Sequence, residues 1–256
     1  MKIYVCIKQV PDLDAPVQIK DGELIQESER LVLNAYDASA VEEALVLKEE
    51  HGGEVEVVLA GPGGAKETIR KALAMGADKA THIQVEAPEN YDSASFASIL
   101  AAFFKDKEYD FIATGKQSQD TDAGLAGAML AEKLDLPYAA NAVGIDGEED
   151  GLVITRQGDT GQEIIKLPFT SLVTCSNDMN EPRIPSLKGI MKSKKKPVDA
   201  VSLDDLGISE ADIEAKTKTT GYEEKPEREA GPKEEGEPEE LAQKLVAFLD
   251  EKTGML

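Results

Sequence analysis

The sequence predicts an α/β fold, an open and mainly parallel sheet with helices packed on it and a C-terminal arm. Three observations carry that prediction. Short apolar runs at 2–10, 54–60, 79–85 and 110–114 alternate with helical stretches at 38–50, 65–75 and 94–104, the pattern of right-handed βαβ crossovers over a parallel sheet. Residues 110–137, DFIATGKQSQDTDAGLAGAMLAEKLDLP, read as a buried strand, a polar glycine-bearing loop and a helix. Beyond residue 180 the composition changes abruptly, first to basic and then to strongly acidic.

The loop inside 110–137 is the organising element. Residues 110–114 are apolar and end at Gly115, as a strand inside an open sheet does. Residues 125–134 resume with apolar and small residues at helical spacing, so the loop lies at a strand's carboxyl end and a helix's amino end. Open α/β sheets bind ligands there. The loop holds Gly115, Gly124 and Gly127, the hydroxyls of Ser118 and Thr121, and the carboxyls of Asp120 and Asp122. Free N–H groups at a helix start, with small residues around them, suit a phosphate. Carboxylates repel a phosphate unless they face ribose hydroxyls or cap the helix, and Asp122 is placed to cap. An ordinary strand-to-helix loop accounts for the same residues, and short glycine motifs do not separate the two.

From the amino terminus, residues 2–10 form a strand pattern that Pro11-Asp12 ends, which sets Lys8 and Gln9 at the carboxyl edge of the sheet. This immediate strand leaves no room for a signal peptide. Residues 16–33 alternate around Lys20-Asp21-Gly22, a small surface hairpin with an Asp-Gly turn. Asn34 and Asp37 precede the helix at 38–50, whose apolar face is Ala40, Val41, Ala44, Leu45 and Leu47. Both are natural helix-start residues, and capping explains them, although the same positions could touch a ligand. Residues 54–60 are the next strand, followed by GPGG at 61–64 and a helix at 65–75 closed by Gly76. A short strand at 79–85 and an apolar helix at 94–104 lead back to residue 110. Residues 141–147 and 152–168 look antiparallel, with turns at GEEDG (147–151) and GDTG (158–161), and 169–175 is again a buried-strand pattern.

Residues 201–256 carry 16 acidic against 7 basic side chains. Within them 222–240 is too polar to bury a core and predicts an extended arm. Helical periodicity returns at 241–249, where Leu241, Leu245, Phe248 and Leu249 can dock on the parent domain or on a partner subunit.

A chain of 256 residues with 41% hydrophobic and 30% charged residues fits one large domain, alone or with an appendage. The net charge of −22 argues against nucleic acid, so an anionic ligand needs a local site that overrides the general field. No apolar run is long enough for a membrane span. Cys6 and Cys175, in apolar runs, read as buried thiols of a reducing, cytoplasmic compartment and are too few for a cysteine metal cluster. His51 and His82 stand in no ligand or base motif, and no metal site is expected.

These residues together resemble the beta subunit of electron transfer flavoprotein. The likeness runs through Lys8, NAYDASAVEEAL at 34–45, AGPGGAKETIRKALAMGAD at 60–78, GKQSQDTDAGLAG at 115–127 and NEPRIPSLKGIMKSKKKP at 180–197. It implies an adenine-nucleotide-binding (HUP/Rossmann-like) domain over residues 1–200 that includes a partner-recognition loop at 183–192. The acidic arm and helix of 201–256 would then pack on an alpha subunit. It also implies an obligate heterodimer whose alpha subunit carries most contacts to a redox-active FAD near the interface. The beta subunit of such a pair holds AMP or, in electron-bifurcating members, a second FAD. Positions matching the nucleotide pocket are Lys8, Asn34, Asp37, Ala60, Gly61, Asp120, Asp122, Ala123, Gly124, Leu125, Ala126 and Gly127.

AMP-binding members tend to have Asn and Thr where Gly124 and Ala126 stand, and bifurcating members tend to read Asp-Gly-Asp-Thr-Ala-Gln-Val-Gly. The sequence DTDAGLAG at 120–127 departs from both patterns, and AMP is favoured as the commoner arrangement. The resemblance further implies that Arg183, Leu187, Lys188, Ile190, Met191 and Lys192 recognise acyl-CoA dehydrogenases or related donors. Leu187 matches the apolar anchor, and Arg183, Lys188, Lys192, Lys194, Lys195 and Lys196 are expected to steer an acidic partner. The implied activity is that of an electron carrier without catalytic side chains of its own, which passes electrons through FAD to a quinone oxidoreductase. A bifurcating subunit with an NADH-oxidising second FAD, which would be an enzyme, and a stand-alone adenine-nucleotide-binding protein are the alternatives.

Overall fold

The computed structural model describes residues 1–253 except 16, 27–29, 225, 227–229 and 232. The chain opens with β1 (Lys2–Cys6), then β2 (Gln9–Pro11), β3 (Val17–Lys20), β4 (Glu23–Gln26) and β5 (Leu31–Leu33). Helix α1 (Ala35–His51) is followed by β6 (Glu54–Gly61), α2 (Lys66–Met75), β7 (Lys79–Gln84) and α3 (Ser93–Phe104). Next come β8 (Phe111–Gly115), α4 (Ala126–Lys133), β9 (Tyr138–Gly147), β10 (Gly151–Gln157), β11 (Gln162–Pro168) and β12 (Ser171–Cys175). The chain continues through α5 (Leu187–Ser193), β13 (Val198–Ser202) and α6 (Pro238–Thr253).

Among the described residues one nine-stranded sheet runs β11-β10-β9-β12-β8-β1-β6-β7-β13, parallel from β9 to β13 and antiparallel only at the β9–β10–β11 meander. The predicted α/β class with an open, mainly parallel sheet is therefore what forms. Its central strands are buried on both faces and alternate strictly. Ile3, Val5, Val57 and Ala113 join a core with α1 and α2. Tyr4, Cys6, Val58 and Ile112 join a second core with α3 and α4. On the α3 side Tyr4, Phe103, Phe104 and Tyr109 pack edge to face, with centroids 5.0–6.3 Å apart.

Two sequence expectations are corrected. The strand expected over 2–10 is two strands: after Cys6 the chain leaves the sheet, and Gln9–Pro11 pairs antiparallel with Leu31–Leu33. The expected hairpin is β3–β4 alone, where Asp21 (φ 55°) and Gly22 (φ 79°) are both left-handed, as a two-residue turn requires; residues 16 and 27–29 of that expectation lie outside the described residues. The first compact unit is Met1–Gly221, past the boundary expected at 200. The acidic composition masks its last part: β13 pairs with β7 from Val198↔Ala80 to Ser202↔Gln84, and Ile213 is buried in the α3-side core.

The second unit is Tyr222–Leu256. There α6 extends the predicted helical stretch at both ends, opening with Pro238 in the first turn, where a missing N–H costs nothing. Lys244 pairs with Glu234 at 2.7 Å. Among the described residues no helix is long and apolar enough to cross a membrane.

Candidate functional site

The sheet forks at its centre. Strands β1 and β8 pair from Ile3↔Phe111 to Cys6↔Thr114 and then separate. The Ile7 N–H turns to Val58 O and the Lys116 N–H to Cys175 O, each at 2.8 Å. Here the strand order reverses, β6 and β7 lying on one side of β1 and β8 and β12 on the other. The Asp37 carboxylate fills the fork. Its Oδ2 accepts from the Lys8 N–H (2.7 Å) and its Oδ1 from the Gly115 N–H (2.9 Å), so one side chain joins the two parting strands. A β-carbon at residue 115 would collide with that carboxylate and with Tyr36, which is why glycine stands there. Burial pushes the Asp37 carboxyl up to about 7, against the pull of the Lys8 and Gly115 N–H groups and the Asn34 side chain.

The loop that follows β8 is tied to the start of α1. The Asn34 amide donates to Gln117 O (2.9 Å) and accepts from the Gln119 N–H (3.0 Å), while Gln119 Oε1 accepts from the Ala35 N–H (3.0 Å). Asn34 and Asp37 therefore begin the helix as expected but do not cap it; both fasten the loop instead. The Lys8 ammonium closes over it, donating to Ser118 Oγ (2.7 Å) and to both oxygens of Asp120 (2.8 and 2.9 Å). Burial raises the Asp120 carboxyl, but Lys8 and Ser118 outweigh it and hold the group below the usual carboxylate range.

Beyond Asp120 the loop opens. Residues 121–125 are exposed and α4 begins after Leu125 with no side-chain cap. The expected cap, Asp122, sits left-handed (φ 51°) and accepts from the Gln117 amide at 3.0 Å. Its absence from the helix end leaves the first-turn N–H groups of α4 without protein acceptors on their own helix. Gly127 lets that turn press against the sheet: a β-carbon there would lie 2.7 Å from Thr114 Oγ1 and 2.8 Å from Thr174 Cγ2. Ala123, Gly124, Ala126 and Gly127 bring little side-chain bulk to this open mouth, where Leu125 is the one large exposed side chain, and the start of an uncapped helix there fits a phosphate. Ala60 and Gly61 end β6 on the opposite flank of β1, and Gly61 O accepts from the Val85 N–H (3.0 Å). His82 Nε2 lies 3.0 Å from the same oxygen, a structural contact in the buried core.

The second candidate segment leaves β12 and returns over α1 and α2. Leu187, Ile190 and Met191 share one face of the short helix α5, and Leu187 is 82% exposed. Ile184, which sequence reasoning did not single out, is 92% exposed just before it. An apolar residue between two prolines in a basic stretch was the available signal. The six basic residues divide. Lys188, Lys192, Lys194 and Lys195 are exposed, whereas Arg183 pairs with Glu42 (2.8 Å) and Glu49 (2.6 Å) and Lys196 donates to Leu73 O and Ala77 O at the end of α2. Arg183 and Lys196 therefore turn inward rather than standing free as expected of steering charges.

An open sheet wound both ways from a central strand, with its polar loops at the strands' carboxyl ends, defines a protein of the Rossmann-like α/β class. The electron transfer flavoprotein domain family matches residues 22–206. The chain is 37% identical over 250 residues to the electron transfer flavoprotein subunit beta of Bacillus subtilis, covering 97% of each chain. It is 34% identical over 256 residues to the human subunit beta, covering 98% of this chain and 97% of that one. It is also 36% identical over 212 residues to the caffeyl-CoA reductase-Etf complex subunit CarD of Acetobacterium woodii, covering 82% and 81%. The chain belongs to the electron transfer flavoprotein family, among its beta subunits.

Proposed function

We propose that this beta subunit pairs with an alpha subunit to form an electron carrier that takes electrons from an acyl-CoA dehydrogenase or related donor and delivers them to a quinone oxidoreductase. FAD, held mainly by the alpha subunit near the interface, supplies the redox chemistry. This chain contributes binding and orientation. The N–H groups at 123–127, in the loop before α4 and at its start, hold the phosphate of AMP, with the backbone of Ala60 and Gly61 bordering the mouth. Asn34, Asp37 and Lys8 act one layer behind, fixing the loop that offers those donors. The carboxyls of Asp120 and Asp122 bond to Lys8 and Gln117, so neither caps the helix end where a phosphate would sit.

The single observation behind the carrier reading is the apolar projection led by Leu187, 82% exposed beside Ile184 and Met191, on a segment ringed by exposed lysines. A leucine of that exposure suits a partner's pocket, and brief docking through a small contact suits a shuttle. Likeness to a subunit of a reductase-Etf complex favours a second reading, in which this crevice holds a second FAD and NADH is the donor. Co-expression with the alpha subunit tests both. Flavin reduction by a substrate-loaded acyl-CoA dehydrogenase, and none by NADH alone, is the expected result. Reduction by NADH alone supports the second reading, and a colourless protein that assembles with no flavoprotein subunit overturns both.

A further inference from the structure

We infer that Arg183 is a positioning residue for partner docking: clamped by Glu42 and Glu49 of α1, it holds the neighbouring Ile184 and Leu187 in their projecting pose and takes no part in steering. The inference rests on the docking reading above and concerns how the docking surface is held. The Arg183 guanidinium meets Glu42 through Nε (2.8 and 3.0 Å) and Nη2 (2.9 Å) and Glu49 through Nη1 (2.6 Å), while its backbone N–H donates to Glu42 Oε2 (3.0 Å). Two guanidinium donors and a main-chain N–H converge on one carboxylate that is itself buried, a geometry a planar fork provides and an ammonium does not.

Just upstream, the Asn180 amide donates to Ser39 O (3.2 Å) and Glu43 Oε2 (2.9 Å), so α1 grips the segment twice within four residues. Immediately after the grip Ile184 is 92% exposed. At the far end Arg70 Nη1 donates to Ser193 O and Lys196 O, and a β-carbon on Gly189 would press into Ala74 O, so α5 is fixed against α2 as well. Between these anchors the apolar knobs stand out from a backbone that cannot easily yield. Ordering a docking element before contact removes a cost that binding would otherwise bear.

Steering and positioning make opposite predictions for Glu42. If Arg183 steers, removing the carboxylate that neutralises it strengthens the attraction; if Arg183 positions, removing Glu42 is as harmful as removing Arg183. The test is stopped-flow reduction of the intact heterodimer by a substrate-loaded acyl-CoA dehydrogenase across ionic strength. Leu187→Ala, Arg183→Gln, Arg183→Lys and Glu42→Gln are compared. We expect Leu187→Ala, Arg183→Gln and Glu42→Gln each to slow the bimolecular step about tenfold, with the salt slope unchanged and the Arg183→Gln/Glu42→Gln pair no worse than either alone. Arg183→Lys does not rescue, and amide exchange speeds up over residues 183–193 only.

A wild-type rate in Glu42→Gln, or a flattened salt slope in Arg183→Gln, overturns the inference while a slow Leu187→Ala keeps the docking reading intact. A wild-type rate in Leu187→Ala removes both. Should Glu42→Gln fail to assemble, Glu49→Gln, which loosens only the exposed arm of the clamp, decides: about a twofold slowing supports positioning, and an unchanged or faster rate overturns it.

Discussion

Two segments leave neighbouring parallel strands in step, since Gly115 at the end of β8 lies opposite Cys175 at the end of β12, yet they are held in different ways. The loop after β8 is tied from beneath by Asn34 and Asp37, buried groups that bond its backbone. The segment after β12 is tied from its flank by α1, through hydrogen bonds of Asn180 to Ser39 O and Glu43 and ion pairs of Arg183 to the buried Glu42 and the exposed Glu49. Both sets of tethers belong to α1 and its N-cap Asn34, the earlier residues serving one segment and the later residues the other. One helix thus acts as a rail for the proposed nucleotide mouth and the proposed docking knob. The difference in tether sets their vulnerabilities: the hydrogen bonds of the buried Asp37 fail by steric intrusion or by ionisation of the raised carboxyl, and the ion pairs of Arg183 by charge removal and, at the exposed Glu49, by salt.

The largest separation between the two regions comes from Gly115→Ala. A β-carbon aimed at the Asp37 carboxylate forces the fork apart, at an expected cost of about 3 kcal/mol in a chemical melt, and the purified heterodimer loses bound nucleotide. Leu187→Ala is the complement. It leaves the melt and the nucleotide content unchanged and slows electron acceptance about tenfold in stopped flow. If both variants impair both properties, the two regions are not separate devices.

The pH dependence sharpens the same contrast. The Asp37 carboxyl is raised in the fold from 3.8 to about 7, so the native state binds more protons than the unfolded chain between those values. Its contribution to stability is complete below the lower value and is lost as pH rises through the upper one. Thermal melts of the wild type are expected to decline from this group between about pH 4 and 7, and the decline flattens in Asp37→Asn. The smallest effect is expected of the outward lysines. Changing Lys188 and Lys192 to Gln slows association about two- to threefold at low salt, and the difference vanishes at high salt.

Much of this was legible along the chain. Apolar runs and helical spacing placed the central strands and the loop after β8, because burial on both faces leaves a local mark. The glycines at 115 and 127 stood out in the sequence as room for a ligand, whereas in the structure protein atoms of Asp37, Tyr36, Thr114 and Thr174 fill the place of their β-carbons. What stayed hidden depends on partners far away in sequence. Asp122 has a helix-capping position, but a left-handed backbone and the Gln117 amide turn it aside. Arg183 and Lys196 look like their outward neighbours until α1 and α2 supply carboxylates and carbonyls more than a hundred residues upstream. The end of the first unit was masked because β13 is a half-exposed edge strand in an acidic stretch, visible only through its pairing with β7.

Nucleotide released by denaturing the purified heterodimer, counted per alpha–beta pair, tests the central claim most directly. The proposed carrier with AMP at the open mouth of α4 predicts one flavin and one AMP. Two flavins and no AMP, or one flavin with no second nucleotide, contradicts it.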